Sequence, residues 1–217
     1  MKTEITAIAS HDIEEVVRLH MEAFPSFFLT FLGPGFLKEF YGSFTWDSAG
    51  AGFVARDIVD GALLGVIVGP VSPEGYFKRL LWKRWWAFGL ASIGAVLKSP
   101  RIIPRLSRAV FYRGDKPLGM ARSLLSSIAV SPQAQGRGIG EVLMRAWIAE
   151  VHRRGSRGCF LTTDARDNDK VNRFYERLGW KLEASFSTPE GRLMNRYTLD
   201  LPPVTETREN EPRSEDL

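Results

Sequence analysis

Three glycines within five residues, Gly136, Gly138 and Gly140, stand where an apolar run ends and a helical pattern begins. The run extends from Leu124 to Val130, and Ser131-Pro132 stops it. A strand, a tight loop and a helix N-terminus are expected in that order. The first N–H groups of a helix have no partner within it and lie at the positive end of its dipole. Left uncovered by side chains, they bind phosphate. Arg137 adds a mobile cation between the glycines. The expected chemistry is capture of a phosphorylated ligand, although the same glycines would also serve a plain strand–helix turn.

Spacing narrows the choice of ligand. The triphosphate-binding loop needs a Gly-Lys-Ser/Thr ending, which is absent, and the dinucleotide fingerprint needs a glycine where Glu141 stands. A second group of residues follows downstream. Cys159 to Asp164 is rich in strand formers, and Asp167 or Asn168 is suited to cap the helix that follows. Val171, Phe174, Tyr175 and Leu178 recur at helical spacing until Gly179 ends the pattern. Val171, Phe174 and Leu178 form the expected core stripe. Asn168 and Tyr175, about two turns apart, share one side of the helix, with Asn172 close by.

The two segments together resemble a known family. Gln135-x-x-Gly138-x-Gly140 is similar to the Gln/Arg-x-x-Gly-x-Gly/Ala motif of the GNAT superfamily of N-acetyltransferases. Asn168-x6-Tyr175-Glu-x-Leu-Gly179-Trp180 is similar to that family's Asn-x6-Tyr-Glu-x-Leu-Gly-Phe segment. The resemblance spans roughly Leu124 to Phe186. It implies an α/β fold: a mixed, mostly antiparallel sheet with a splayed central strand pair, flanked by helices. It also implies acetyl-CoA as co-substrate. Gln135, Gly136, Arg137, Gly138, Ile139 and Gly140 would surround its pyrophosphate, backbone amides near Ile128 and Val130 would hold its pantetheine arm, and Asn168 would contact it. Tyr175 would act as general acid on the departing thiolate. The implied activity is acyl-CoA-dependent N-acetylation by direct attack in a ternary complex.

The acceptor is less defined. Family members often carry a glutamate on the fourth strand, but Ser123 to Val130 contains no carboxylate, which leaves Glu22, Glu39, Asp47 and Asp164 as candidate bases. A small-molecule amine is the expected acceptor. The aromatic N-terminal region and the Thr162-Thr163-Asp164-x3-Asn168 run resemble acetyltransferases of bacterial surface-polysaccharide synthesis, which points to an amino sugar. The rival reading is a non-catalytic CoA-binding or membrane-docking module on the same fold.

The elements that must position these residues can be read along the chain. Glu4 to Ala7 reads as a strand, and Asp12 as the cap of a helix running through His20. An aromatic stretch from Phe24 to Phe44 would either line an acceptor pocket or fill the core, with a helix over Phe36 to Phe44. Gly52–Asp57 and Leu63–Val68, joined by Asp60-Gly61, read as a hairpin. Lys181 to Ser187 and Arg192 to Leu201 read as the last strands. One domain over 1–201 is expected, with a disordered acidic tail from 202.

Roughly Pro70 to Arg122 exceeds what the family pattern needs. Between Gly75 and Gly114 there are nine basic residues and no acidic one, interleaved with Trp82, Trp85 and Trp86. Three readings apply: a helix lying on an anionic membrane, a lid over an anionic acceptor, or a helical insertion packed on the domain. The apolar stretch Trp85 to Leu97 is short of the roughly twenty residues a span requires. No nucleic-acid motif accompanies the charges, so no nucleic-acid partner is expected. The chain has one cysteine and three scattered histidines, expected at the surface, and no metal site is read from them. The N-terminus lacks the apolar core of a signal peptide, so the cytoplasm is the expected location, with peripheral contact at the inner membrane face under the first reading.

Overall fold

The computed structural model describes residues 2–25, 27–98 and 122–203. Strand β1 (Thr3–Ala7) leads through the turn Ser10–Asp12 into helices α1 (Ile13–Ala23), α2 (Phe28–Leu32) and α3 (Pro34–Trp46). Strands β2 (Gly50–Asp57) and β3 (Leu63–Pro70) follow, and then helix α4 (Tyr76–Lys98). The second half comprises β4 (Ser123–Leu124), β5 (Ser127–Val130), α5 (Ile139–Arg153), β6 (Gly158–Asp164), α6 (Asp169–Arg177), β7 (Lys181–Ser187) and β8 (Leu193–Asp200). Of the tail expected from residue 202, residues 204–217 lie outside the described residues, as do residues 99–121 of the basic insertion.

The strands form two four-stranded sheets, ordered β1-β2-β3-β5 and β4-β6-β8-β7. Every pairing is antiparallel except β4 with β6. This is the mixed, mostly antiparallel architecture read from the sequence. The β2–β3 hairpin turns where expected: Asp57 N–H donates to the Ala62 carbonyl at 3.0 Å, and Gly61 takes φ 71°.

Alternation along the strands gives the first sheet two buried faces. Val54, Val66, Val68 and Ala129 belong to one cluster with Val16, Val17, Leu37, Phe40, Tyr41 and Phe44 of α1 and α3. Ala51, Ala55 and Ile67 belong to another with Ile139, Leu143, Met144, Trp147 and Val151 of α5. Each such side chain contributes about 1.5–3 kcal/mol when fully buried, so both helical layers are held firmly.

Three expectations need correction. Asp12 is the N-cap residue of α1, but its carboxylate does not cap the helix. It accepts from Ala9 N–H at 2.8 Å and from Arg56 at 2.7 Å, so it ties the helix start to β2 instead. His20 is 1% exposed, because the last turn of α1 carries it onto the stripe of Val16 and Val17. The aromatic stretch divides: Phe40, Tyr41 and Phe44 are core, whereas Phe27 and Phe31 remain 40% and 45% exposed.

Helix α4 packs on α3 through aromatic contacts, with ring centroids 4.8 Å apart for Phe36–Phe88 and 5.4 Å for Phe44–Tyr76. Its backbone leaves helical geometry at Arg84 (φ −128°, ψ 23°). There the guanidinium donates to both oxygens of Glu39 at 2.8 Å. This face of the insertion is therefore packed on the domain. No helix among the described residues is long and apolar enough to cross a membrane.

Candidate active site

A single extended stretch serves both sheets. Ser123 and Leu124 lie parallel to Cys159 and Phe160, and Leu125 N–H still donates to the Phe160 carbonyl at 2.9 Å. One residue later the chain changes partner, as Ser126 N–H donates to the Val68 carbonyl at 3.0 Å. From Ser127 to Val130 the strand pairs only with β3, while β6 runs on to Asp164 paired only with β8. A wedge-shaped gap opens between Ser127–Val130 and Leu161–Asp164. Gly69 allows the close crossing at its apex, since a Cβ there would stand 2.0 Å from the Leu124 carbonyl oxygen and 2.9 Å from the Trp147 ring.

Hydrogen bonding decides which backbone groups face the gap. Ser131 N–H donates to the Leu64 carbonyl, one step beyond the Val130–Gly65 register pair, whereas Ser126 is offset, its N–H reaching Val68 although Ser127 is the residue in register there. Antiparallel alternation therefore commits the backbone of Ala129 to β3 and turns that of Ile128 and Val130 to the other edge. The Gln135 amide nitrogen, 3.5 Å from the Val130 carbonyl, approaches from the same side.

The glycine loop delivers the chain into α5. Gly136 and Gly138 adopt φ 77° and 81°, and nothing lies within 4 Å of a Cβ built on either. The Gly138 carbonyl accepts from Glu141 and Val142 at 3.0 and 3.1 Å. Among the described residues, the N–H groups of Gly138, Ile139 and Gly140 have no recorded acceptor. Arg137 is exposed, and the Ile139 side chain is buried, so Ile139 presents only its backbone to the loop. Gly140 differs from its neighbours. A Cβ there would meet the Phe174 ring at 3.4 Å and Val130 at 3.7 Å, an ordinary contact, so the loop packs against α6 at this point.

Helix α6 begins with Asp167 at φ 54° and Asn168 as N-cap residue. The Asn168 side chain does not cap the helix. Its amide donates back to Thr163 Oγ1 at 2.8 Å and to the Asp164 carbonyl at 3.0 Å. Asn172 is buried and fully used, donating to the carbonyls of Asp164 and Asn168 and accepting from Asn195 and Tyr197. It pegs α6 to β6 and β8. Val171, expected in the core, is 36% exposed; the buried side is Asn172 and Tyr175, flanked by Phe174 and Leu178.

Tyr175 is 6% exposed, with the rings of Phe174, Tyr197 and Trp180 at 5.4, 5.8 and 6.1 Å. It shares a cluster with Leu125, Ile128 and Val130, the residues bordering the gap. Burial pushes its phenol well above the ordinary tyrosine value, so it remains protonated. Ser126 Oγ, at the apex, is buried with no described partner.

The opposite face of β5 carries residues that no sequence motif announces. Tyr41 Oη lies 2.7 Å from His20 Nδ1 and 3.0 Å from Ser127 Oγ, a hydrogen-bonded chain from α1 through α3 to the edge of the gap. His20 Nε2 is buried without a described partner. Burial lowers the His20 pKa to about 4, so the ring is neutral at pH 7.

Three of the four candidate bases are engaged. Arg84 holds Glu39, Arg192 holds Asp164 through both carboxylate oxygens, and Asp47 accepts from Ala49 N–H with Arg79 3.9 Å away. Glu22 lines a hollow of about 170 Å³ with Glu15, Arg18, Leu19, Leu63 and Ser131.

Residues 107–182 match the acetyltransferase (GNAT) domain. No curated protein matches the sequence significantly. Among solved structures, the chain is similar to an N-acetyltransferase from Staphylococcus aureus Mu50, with 14% identity, TM-score 0.60 and coverage of 92% of this chain and 99% of that one. It is also similar to the ribosomal-protein-S18-alanine N-acetyltransferase of Escherichia coli, at 14% identity, TM-score 0.59 and coverage of 96% and 100%. The spermidine/spermine N-acetyltransferase SpeG of Vibrio cholerae follows at 15% identity and TM-score 0.54, with 92% and 95% covered. At such identities the likeness establishes the fold.

Proposed function

We propose that this chain, whose residues 107–182 match the acetyltransferase (GNAT) domain and whose fold is shared with solved N-acetyltransferases, is a member of the GNAT superfamily that transfers an acetyl group from acetyl-CoA to an amine by direct attack in a ternary complex. The observation that carries this reading is the gap itself. One strand leaves its neighbour after two paired residues and turns the unpaired backbone edge of Ile128 and Val130 inward. Such an edge suits an amide-bearing arm. The uncommitted N–H groups of Gly138, Ile139 and Gly140, with Gln135, Gly136 and Arg137 around them, suit the pyrophosphate. Asn168, fastened to β6, stands at the start of the helix that brings Tyr175 to the gap.

The chain's own residues then have distinct tasks. The strand edge orients the thioester, and an amide at Ile128 or Val130 polarises its carbonyl. Tyr175 holds a proton at Oη for the departing thiolate. Its raised pKa keeps that proton in place between turnovers, although it makes the transfer more uphill than for a free tyrosine. On the acceptor side, Ser127 with Tyr41 and His20 supplies the polar wall, and an acceptor arriving partly neutral needs no dedicated carboxylate.

Acetylated amines differ widely among the structural neighbours, so the acceptor is argued from the residues. Phe27 remains exposed beside Phe24 and His20, with ring centroids 5.8 and 6.2 Å away, and Phe31, one turn on, is exposed as well. An exposed aromatic surface favours an acceptor with a ring face, and an amino sugar fits that requirement.

Calorimetric titration of acetyl-CoA into the wild type and into Gly138→Asp tests the cofactor site. Micromolar-range binding by the wild type and its loss in the variant is the expected result. An absence of wild-type binding would reduce the glycine loop to a structural turn and defeat the enzyme reading.

A further inference from the structure

The exposed face of α4 combines large apolar and basic side chains. Tyr76, Leu80, Ala87 and Phe88 are buried toward the domain. The opposite side presents Trp82, Trp85, Trp86 and Leu90 at 78%, 71%, 51% and 63% exposure. Lys78 and Trp82 share one side of the helix before the break at Arg84, and Trp85, Trp86, Gly89 and Leu90 are exposed positions after it. Three tryptophans on one surface form a contiguous apolar patch of the kind monomeric proteins rarely leave bare.

Charge identifies what would cover it. The exposed face carries Lys78, Arg79 and Lys83, and the sequence from Gly75 to Gly114 has no acidic residue. Arg84, 42% exposed, is paired with Glu39 and stands 5.3 Å over the ring of Trp86. Lys83 stands 5.3 Å over the ring of Trp46, itself 45% exposed, which extends the basic–aromatic surface onto the end of α3. A protein partner with an apolar groove would explain the tryptophans alone, and a polyanion would explain the lysines alone. Indole rings interleaved with ammonium groups on a helix that cannot span a bilayer match the headgroup region of an anionic one.

We propose that α4 is a peripheral docking surface for anionic lipid bilayers, lying in the membrane plane with Trp82, Trp85 and Trp86 inserted among the headgroups. This is independent of acyl transfer. The full-length protein should co-sediment with vesicles rich in phosphatidylglycerol and not with pure phosphatidylcholine. Brominated lipids should quench part of its tryptophan fluorescence. Replacing Trp82, Trp85 and Trp86 together by Ser should abolish the quenching, and Lys78→Glu with Lys83→Glu should weaken binding roughly twenty-five-fold or more, at about fivefold for each of the two lysines lost. These side chains are exposed, so circular dichroism should report an unchanged fold. Absence of binding to the anionic vesicles would overturn the proposal. So would equal quenching of the serine variant, or a sedimentation mass showing a dimer that already shields the tryptophans without lipid.

Discussion

Four residues carry most of the meaning at the finest scale. Gly138 and Gly140 lie two positions apart in one motif, yet the structure demands glycine at only the first. Gly138 sits at φ 81°, where any other residue is strained by about 1–2 kcal/mol, whereas a methyl at Gly140 would rest against Phe174 at 3.4 Å. Gly140→Ala should therefore retain acetyl-CoA affinity, and Gly138→Ala should weaken it measurably in the same titration. Tyr175→Phe should lower kcat roughly tenfold or more with acetyl-CoA affinity nearly unchanged, because only the phenolic hydroxyl is removed. An unchanged kcat would remove Tyr175 from the chemistry. His20 governs a different property. Its folded pKa of about 4 lies below the unfolded 6.5, so the unfolded chain takes up a proton first as pH falls. The stability the neutral ring contributes is fully present above pH 6.5 and lost progressively down to about 4, by ~3 kcal/mol. Urea unfolding of wild type and His20→Phe across that window should show the step in the former and not in the latter.

Among the elements, the point of greatest constraint is where β3 passes the strand that changes sheets. Gly69→Ala would force a methyl onto a backbone carbonyl, a collision no rotamer relieves. The expected cost is about 3 kcal/mol, or a fall in Tm of roughly 6–12 °C, readable by calorimetry. Nothing in the sequence around Gly69 foretells this, because the colliding group is the Leu124 carbonyl, which topology alone brings near. The same holds for Tyr41 and Ser127, hydrogen-bonded across eighty-six positions. Local patterns were far more legible. The hairpin at Asp60-Gly61, the strand–loop–helix at Val130 to Gly140 and the helix stop at Gly179 all rest on interactions within a few residues, and all are present. Where local logic failed, a distant polar group had won. Asp12 and Asn168 look like caps, but Arg56 and Thr163 claim their side chains. Val171 looks like core, but buried Asn172 has rotated the helix to reach Asn195 and Tyr197.

Over the whole molecule, charge is segregated rather than merely positive. Residues 75–114 hold nine of the twenty-nine basic residues, leaving twenty against all twenty-five acidic ones elsewhere. The remainder of the protein is thus net acidic. An anionic surface attracts the basic segment and repels the acidic remainder of the chain, which favours approach through α4. Association with anionic vesicles should accordingly slow as salt shortens the Debye length to about 8 Å near physiological ionic strength. Stopped-flow mixing across a salt series measures that dependence, and a flat response would argue that the charges play no part in the approach.

The strand that parts from β6 after Leu124 has a further effect. The edge it bares, together with the facing edge of β6, is a strand vacancy inside the fold, and under the proposed function the amide-rich arm of coenzyme A would fill it much as a peptide would. Any extended chain could compete for the same vacancy, including a segment of another copy as it folds. Cofactor supply then doubles as protection from self-association. At a hundredfold excess over Kd, coenzyme A should raise folding stability by about 2.7 kcal/mol and delay the onset of light scattering on heating. Gly138→Asp, unable to hold the pyrophosphate, should gain neither benefit.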